Sequence, residues 1–288
     1  MSPPSVASEP EETVVSVSTS FHPNSHPELP APDTIFSASD GVLFYAHSNT
    51  ILSTCGSAFR DFLGSPLEDP KYRDALIPVA STSNEFNIIM HMLYGTSAAA
   101  HSPTFENLVN AVDRMPAYSI PPEKHILLST PLYTLLLSYA PIQPLDLYAL
   151  AAYHDIHPLA VATSSHLLSY SLQTISDIQA DRMGAIYLKK LMMLHVERFT
   201  ALKTILLKPP HPHAPTRHCG FTEQRKLTRA WALVSAHLAW DARADMSTNT
   251  MHGALNPLLG QLDCAECKKS LQERIKDLIV QWTSVVVR

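Results

Sequence analysis

The pattern of apolar and polar positions changes character once along the chain. Between Asp33 and Leu63 it is short-ranged: two brief apolar runs, Thr34–Ser39 and Val42–His47, flank Asp40-Gly41, a pair favoured in tight turns. The pattern predicts a β-hairpin and, directly after it, a helix. Ser48 or Asn49 can cap the turn that carries Ile51 and Leu52. A second short helix is expected over Ser57–Leu63, presenting Phe59, Phe62 and Leu63 to the same core. The polar loop Gly64–Arg73 then leads into a third strand, Ala75–Val79.

From Ser83 onward helical spacing takes over. Ser83–Tyr94 carries Phe86, Ile89, Met90 and Leu93 on one face, and Thr104 caps a helix bearing Phe105, Leu108, Val112 and Met115. Apolar helical material continues over Glu123–Tyr139 around Pro131. Helices then start at Pro144 and Pro158, since proline is preorganised for the first turn. A short and then a long helix are expected over Ser176–Leu207, another from Thr222 through Trp240, and a last one over Lys268–Val286. Trp231, Trp240 and Trp282 read as core anchors of these helices, and the mixed stripe of Met183, Ile186, Leu191, Met192, Met193 and Leu194 reads as core ahead of an adaptable binding face. Lys208–Arg217, with four prolines in ten residues, is the clearest internal linker. Residues 1–30, rich in Pro, Ser, Glu and His, are expected to be a disordered tail, although Thr13–Val17 has strand character. The fold class expected is therefore α+β: a tail over 1–30, a small mixed sheet surrounded by helices over 31–175, and an all-α region over 176–288.

Asp33, Ile35-Phe36, Asp40-Gly41, Phe44, Ala46-His47, Leu52 and Ser57-Ala58-Phe59, in that order, carry a resemblance. So do Leu76–Val79 and the later Phe86, Met90, Leu93 and Tyr94. Together they resemble the BTB/POZ domain, in the version found in a large fungal family of single-BTB proteins, over roughly residues 33–175. Ser48 stands where that domain usually has lysine. The resemblance implies a protein–protein interaction module that self-associates, with Ile51, Leu52, Phe59 and Phe62 on an apolar face available to a partner. It implies structural or interface roles for Asp33 and His47. In some such domains an N-terminal segment adds a strand across the dimer interface, a role open to Thr13–Val17. A more specific implication is a substrate adaptor for a cullin-type ubiquitin ligase, bound through Phe86–Tyr94 and Phe105–Met115.

Composition narrows the alternatives. A net charge of −5 without any basic run argues against nucleic acid as a partner, and no apolar run reaches the ~18 residues of a membrane span. The polar, acidic N-terminus does not read as a signal peptide, so cytoplasm or nucleus is the expected compartment and thiols are expected to be reduced. Only 8 glycines occur where average usage of about 7% gives roughly 20, which leaves little material for phosphate-cradling loops. No nucleophile-elbow, HExxH or phosphate-loop pattern is present, so no enzyme is expected.

The sharpest chemistry lies near the C-terminus. Cys264-x-x-Cys267 can grip a tetrahedral Zn²⁺, with Cys219 and a nearby histidine, His218 or else His213, completing the set. Such a site would staple the linker to the last helix and would be structural. The same residues are otherwise three reduced thiols near a helix start.

Overall fold

The computed structural model describes residues 15–55 and 76–285. The chain forms two compact units, Met1–Tyr139 and Ala140–Arg288. This division falls ahead of the expected one at residue 175, because the helices at 144–164 pack on the long helix that follows them.

In the first unit, β1 (Thr34–Ser37) and β2 (Leu43–Ala46) form the antiparallel hairpin, pairing Thr34 with Ala46 and Phe36 with Phe44. Gly41 takes a φ of +81° in the turn, a conformation that asks for glycine there. β3 (Leu76–Pro78) adds parallel to β1, giving the order β2-β1-β3. Helix α1 (Ser48–Cys55) follows the hairpin and packs on α2 (Ser83–Leu93). The expected helix Ser57–Leu63, with Phe59 and Phe62, lies outside the described residues. Helix α2 starts at Thr82, which accepts from the Glu85 amide while the Glu85 carboxylate accepts from the Thr82 N–H. Asp40 in the hairpin turn also accepts from the backbone and hydroxyl of Ser83, tying turn to helix. Helix α3 (Phe105–Arg114) is capped by Thr104, and two short helices, α4 (Pro122–His125) and α5 (Pro131–Leu137), close the unit.

The core of this unit is aromatic. Phe86 makes edge-to-face contacts with Phe36, Phe44 and Tyr118, at centroid distances of 5.3, 5.1 and 6.1 Å. Phe21 joins them, fully buried beside Phe44 and Tyr94. The tail reading thus fails for residues 15–30. Val17 bridges Leu43 in parallel, and Leu43 and Tyr45 donate to the carbonyls of Ser16 and Phe21. The outer edge of β2 needs backbone partners, and burial of Phe21 holds the segment that supplies them. The strand character near Val17 is used within the chain.

The second unit is helical. Helices α6 (Pro144–Tyr153) and α7 (His157–Ser164) pack together and α6 packs on α8 (Asp177–Leu206). Gly184, at φ +70°, interrupts α8 and accounts for the short-then-long pattern. Beyond the linker come α9 (Phe221–Trp240), α10 (Thr248–Leu255) and α11 (Ala265–Thr283). Helix α9 begins just after Gly220, whose N–H donates to Glu223, so the helix starts earlier than the expected Thr222 cap. Their shared core holds Leu202, Leu206, Leu227, Trp231, Leu271, Leu278 and Trp282. Two buried arginines bind it together. Arg274 stacks on Trp231 and donates to the carbonyls of Ile205 and Lys208, while Arg198 lies 3.9 Å from the Trp282 ring centre and donates to Ala244 and Val285. The carbonyls at the end of α8 are thereby satisfied by side chains, Leu206 accepting from the Trp231 indole.

Trp231 and Trp282 are buried as expected, but Trp240 is 89% exposed. It is the last residue of α9, where the apolar face of the helix has already passed beneath Leu238. Of the apolar stripe on α8, Met183 and Leu191 are buried, whereas Ile186, Met192 and Met193 are exposed. No helix among the described residues is long and apolar enough to cross a membrane.

Candidate metal centre

Four ligand-type side chains of the second unit converge: His213, Cys219, Cys264 and Cys267, their donor atoms all within 4.8 Å of one another. Each comes from a segment with its own reason for being there. His213 lies in the proline-rich linker, whose main chain is held by Gln224 donating to the His213 carbonyl. Cys219 closes a four-residue turn in which Thr216 and Cys219 exchange backbone hydrogen bonds and the Thr216 hydroxyl accepts from the Cys219 amide. Cys264 is the N-cap of α11 and Cys267 sits in its first turn, so the C-x-x-C spacing turns both sulfurs to one side.

The distances suit a tetrahedral ion. His213 Nε2 is 3.3 Å from Cys267 Sγ and 3.4 Å from Cys264 Sγ, and the sulfurs of Cys219 and Cys267 are 3.6 Å apart. Zn²⁺ with bonds of about 2.3 Å to sulfur and about 2.0 Å to nitrogen sets its ligand atoms about 3.5–3.8 Å apart. The second sphere is present as well. His213 Nδ1 donates to the Ala214 carbonyl at 2.7 Å, which fixes the tautomer and leaves the Nε2 lone pair facing the sulfurs.

The electrostatics separate the thiols. Cys264 is lowered to about 7, chiefly by the backbone amide of Cys267 at the start of α11. Burial, and then the Cys219 sulfur, push Cys267 up to about 12, and burial raises Cys219 too. A dication among them would override that resistance and hold all three as thiolates.

The histidine of the set is His213. His218 is exposed in the 216–219 turn and stands outside the cluster, which corrects its choice from the sequence. Adjacency to Cys219 favoured His218, but the turn that brings Cys219 inward leaves its neighbour outside. The signal for His213 was its place three residues before the turn, where the linker can fold back onto α11.

The residues expected to form an interaction face are placed differently. Ile51 and Phe86 are fully buried and Phe105 almost so, making them core rather than contact surface, and Leu52 and Tyr94 are half-buried. Asp33 is exposed and accepts from the backbone and hydroxyl of Ser48, capping α1. Burial acts to raise its carboxyl, but the Ser48 and Thr34 hydrogen bonds outweigh it and hold the carboxyl below its ordinary value. His47 is buried. Its Nε2 donates to the Pro30 carbonyl, so Nδ1 accepts from the Tyr94 hydroxyl, whose oxygen in turn accepts from the His47 amide. Both residues hold the hairpin to its neighbours.

No protein-family model matches this chain, and neither a curated protein nor a solved structure matches it.

Proposed function

We propose that this chain is a non-catalytic protein-binding scaffold whose helical unit is fastened by a structural Zn²⁺. The observation that carries the reading is the closed ligand set. Three thiolates and one imidazole complete a tetrahedron, so a bound ion keeps no position for water or substrate. What such an ion does is mechanical: it fastens the 208–217 linker and the start of α9 to the start of α11. The test is elemental analysis of protein purified without chelator. One zinc per chain, lost in Cys264→Ser together with thermal stability, is the expected result. Metal-free protein with unchanged stability in Cys264→Ser would remove the metal from the account.

The first unit supports the interaction half of the proposal. Its hairpin, the parallel third strand and the helices after it suit the BTB/POZ resemblance, as do the Asp33–Ser48 and His47–Tyr94 bonds within the motif. On that reading the unit self-associates, and the cullin-adaptor role is its more specific form. Calorimetric titration with a cullin N-terminal domain separates the two. Binding marks an adaptor, and a self-associating protein that leaves the cullin unbound marks a scaffold.

A further inference from the structure

Helix α9 carries more apolar surface than its unit buries. Phe221 and Leu233 are each 74% exposed and Trp240 is 89% exposed, while Leu207, just past the end of α8, is 78% exposed. On the same helix Ala232, Ala236 and Ala239, spaced i, i+4, i+7, leave a groove of about 370 Å³ against Leu206, Leu207 and Pro209. Small side chains are what let another helix approach this closely. Ser235 lies in that groove, over nine-tenths buried, and its hydroxyl has no hydrogen-bond partner. A buried hydroxyl without a partner costs stability unless something supplies one.

We infer that this groove is a docking site for α9 of a second copy of the chain, each copy placing its Trp240 in the groove of the other. The knob and the hole lie on one element, which is the condition for a closed two-fold contact. The indole offers apolar bulk for the alanine-lined walls. Charge sets the direction. The first half of α9 carries Arg225, Lys226 and Arg229 against Glu223, whereas its far end runs into Asp241 and Asp245 against Arg243, which pairs with Asp245. An antiparallel crossing near Ala236 brings basic half towards acidic end, while a parallel one faces like against like. Trp240 exposes roughly 200 Å², and with Leu207, Leu233 and the groove the contact supplies a substantial share of the roughly 800 Å² per partner of a stable interface. The inference rests on neither the zinc nor the BTB reading.

The test uses the full chain and reads Trp240 itself. Because Trp231 and Trp282 are buried, accessible tryptophan emission reports on Trp240. Acrylamide quenching is measured from about 1 to about 100 µM protein, with mass by light scattering alongside. Quenching should fall several-fold as concentration rises. It should remain high throughout in Ala236→Glu, an exposed helix position where the fold tolerates the change. A mixture of Ala236→Glu with Trp240→Ala should recover part of the association, since one intact knob-and-groove contact remains. Equally high quenching of the wild type at both ends of the range overturns the inference whatever the mass, because any dimer then leaves Trp240 uncovered. Protection already complete at the lowest concentration and retained in Ala236→Glu also overturns it, since a segment of the same chain would then cover Trp240.

Discussion

His213 Nε2 and Cys267 Sγ stand 3.3 Å apart although 54 residues separate them in the chain. Neither residue belongs to the other's secondary structure, and no backbone hydrogen bond explains the approach. What brings them together is the linker folding back over the first turn of α11, with Ser270 donating to the His211 carbonyl to hold it down. The imidazole is the least redundant ligand, since its tautomer is already set by Ala214. His213→Ala is therefore expected to cut zinc content well below one per chain, and His218→Ala to leave it at one. Atomic absorption on the two proteins purified in parallel checks this.

Removing the ion should loosen the second unit as a whole. The four ligands come from three segments, and the core beneath them includes Cys219, Cys267, Leu227 and Leu271. Metal that binds only the folded chain stabilises it by its binding free energy. Chelation is expected to lower Tm by about 10 °C or more, taking about 2–4 °C per kcal/mol for a chain of this size. Calorimetry before and after zinc is restored measures the shift, which should reverse on adding Zn²⁺ and not Mg²⁺.

Arg274 does a different kind of work for the same helices. Its guanidinium is buried, lies over Trp231, and supplies donors to the Ile205 carbonyl in the last turn of α8 and to the Lys208 carbonyl just beyond it. Arg274→Met keeps apolar volume but removes the side-chain donors of both carbonyls, leaving Ile205 only a long bond from the Lys208 amide, at about 1–3 kcal/mol each. A loss of about 2–4 kcal/mol by urea denaturation is expected. Arg274→Lys should fall between, because an ammonium cannot reproduce the planar fork.

Much of the fold was legible because its signals are local. Asp40-Gly41 marked the hairpin, Thr104 the start of α3, and Pro144 and Pro158 the starts of α6 and α7. The readings that failed depend on contacts distant in sequence. Helical spacing places Ile51 and Phe86 each on the apolar face of its own helix but cannot say whether that face meets the core or a partner. Composition made residues 15–30 look like a tail because it could not foresee that β2 lacks an edge partner and Phe21 a place to be buried. Trp240 read as core on residue type alone, yet its position closes the helix beyond the last buried turn. For the metal centre, the sequence supplied the three cysteines, and the choice of histidine waited on the geometry of one turn.

A pH prediction follows from His91. Its ring lies against Phe21 and His101, its Nδ1 pairs with the Thr96 hydroxyl, and its Nε2 is buried without a hydrogen bond. Burial, then the neighbouring His101 and His26, lower it from 6.5 to about 4. The folded chain thus resists protonating His91 over a range in which the unfolded chain accepts the proton. The stability this represents is present above pH 6.5 and is lost as pH falls from there towards 4, below which both states carry the proton. Partial exposure of the ring screens the effect, so the slope and not the total is the quantity to read. Denaturation midpoints at several pH values between 7.5 and 4 should fall less steeply for His91→Gln than for the wild type. Two parallel curves would mean that His91 titrates alike in both states, and that the acid sensitivity of this unit comes from its carboxylates instead.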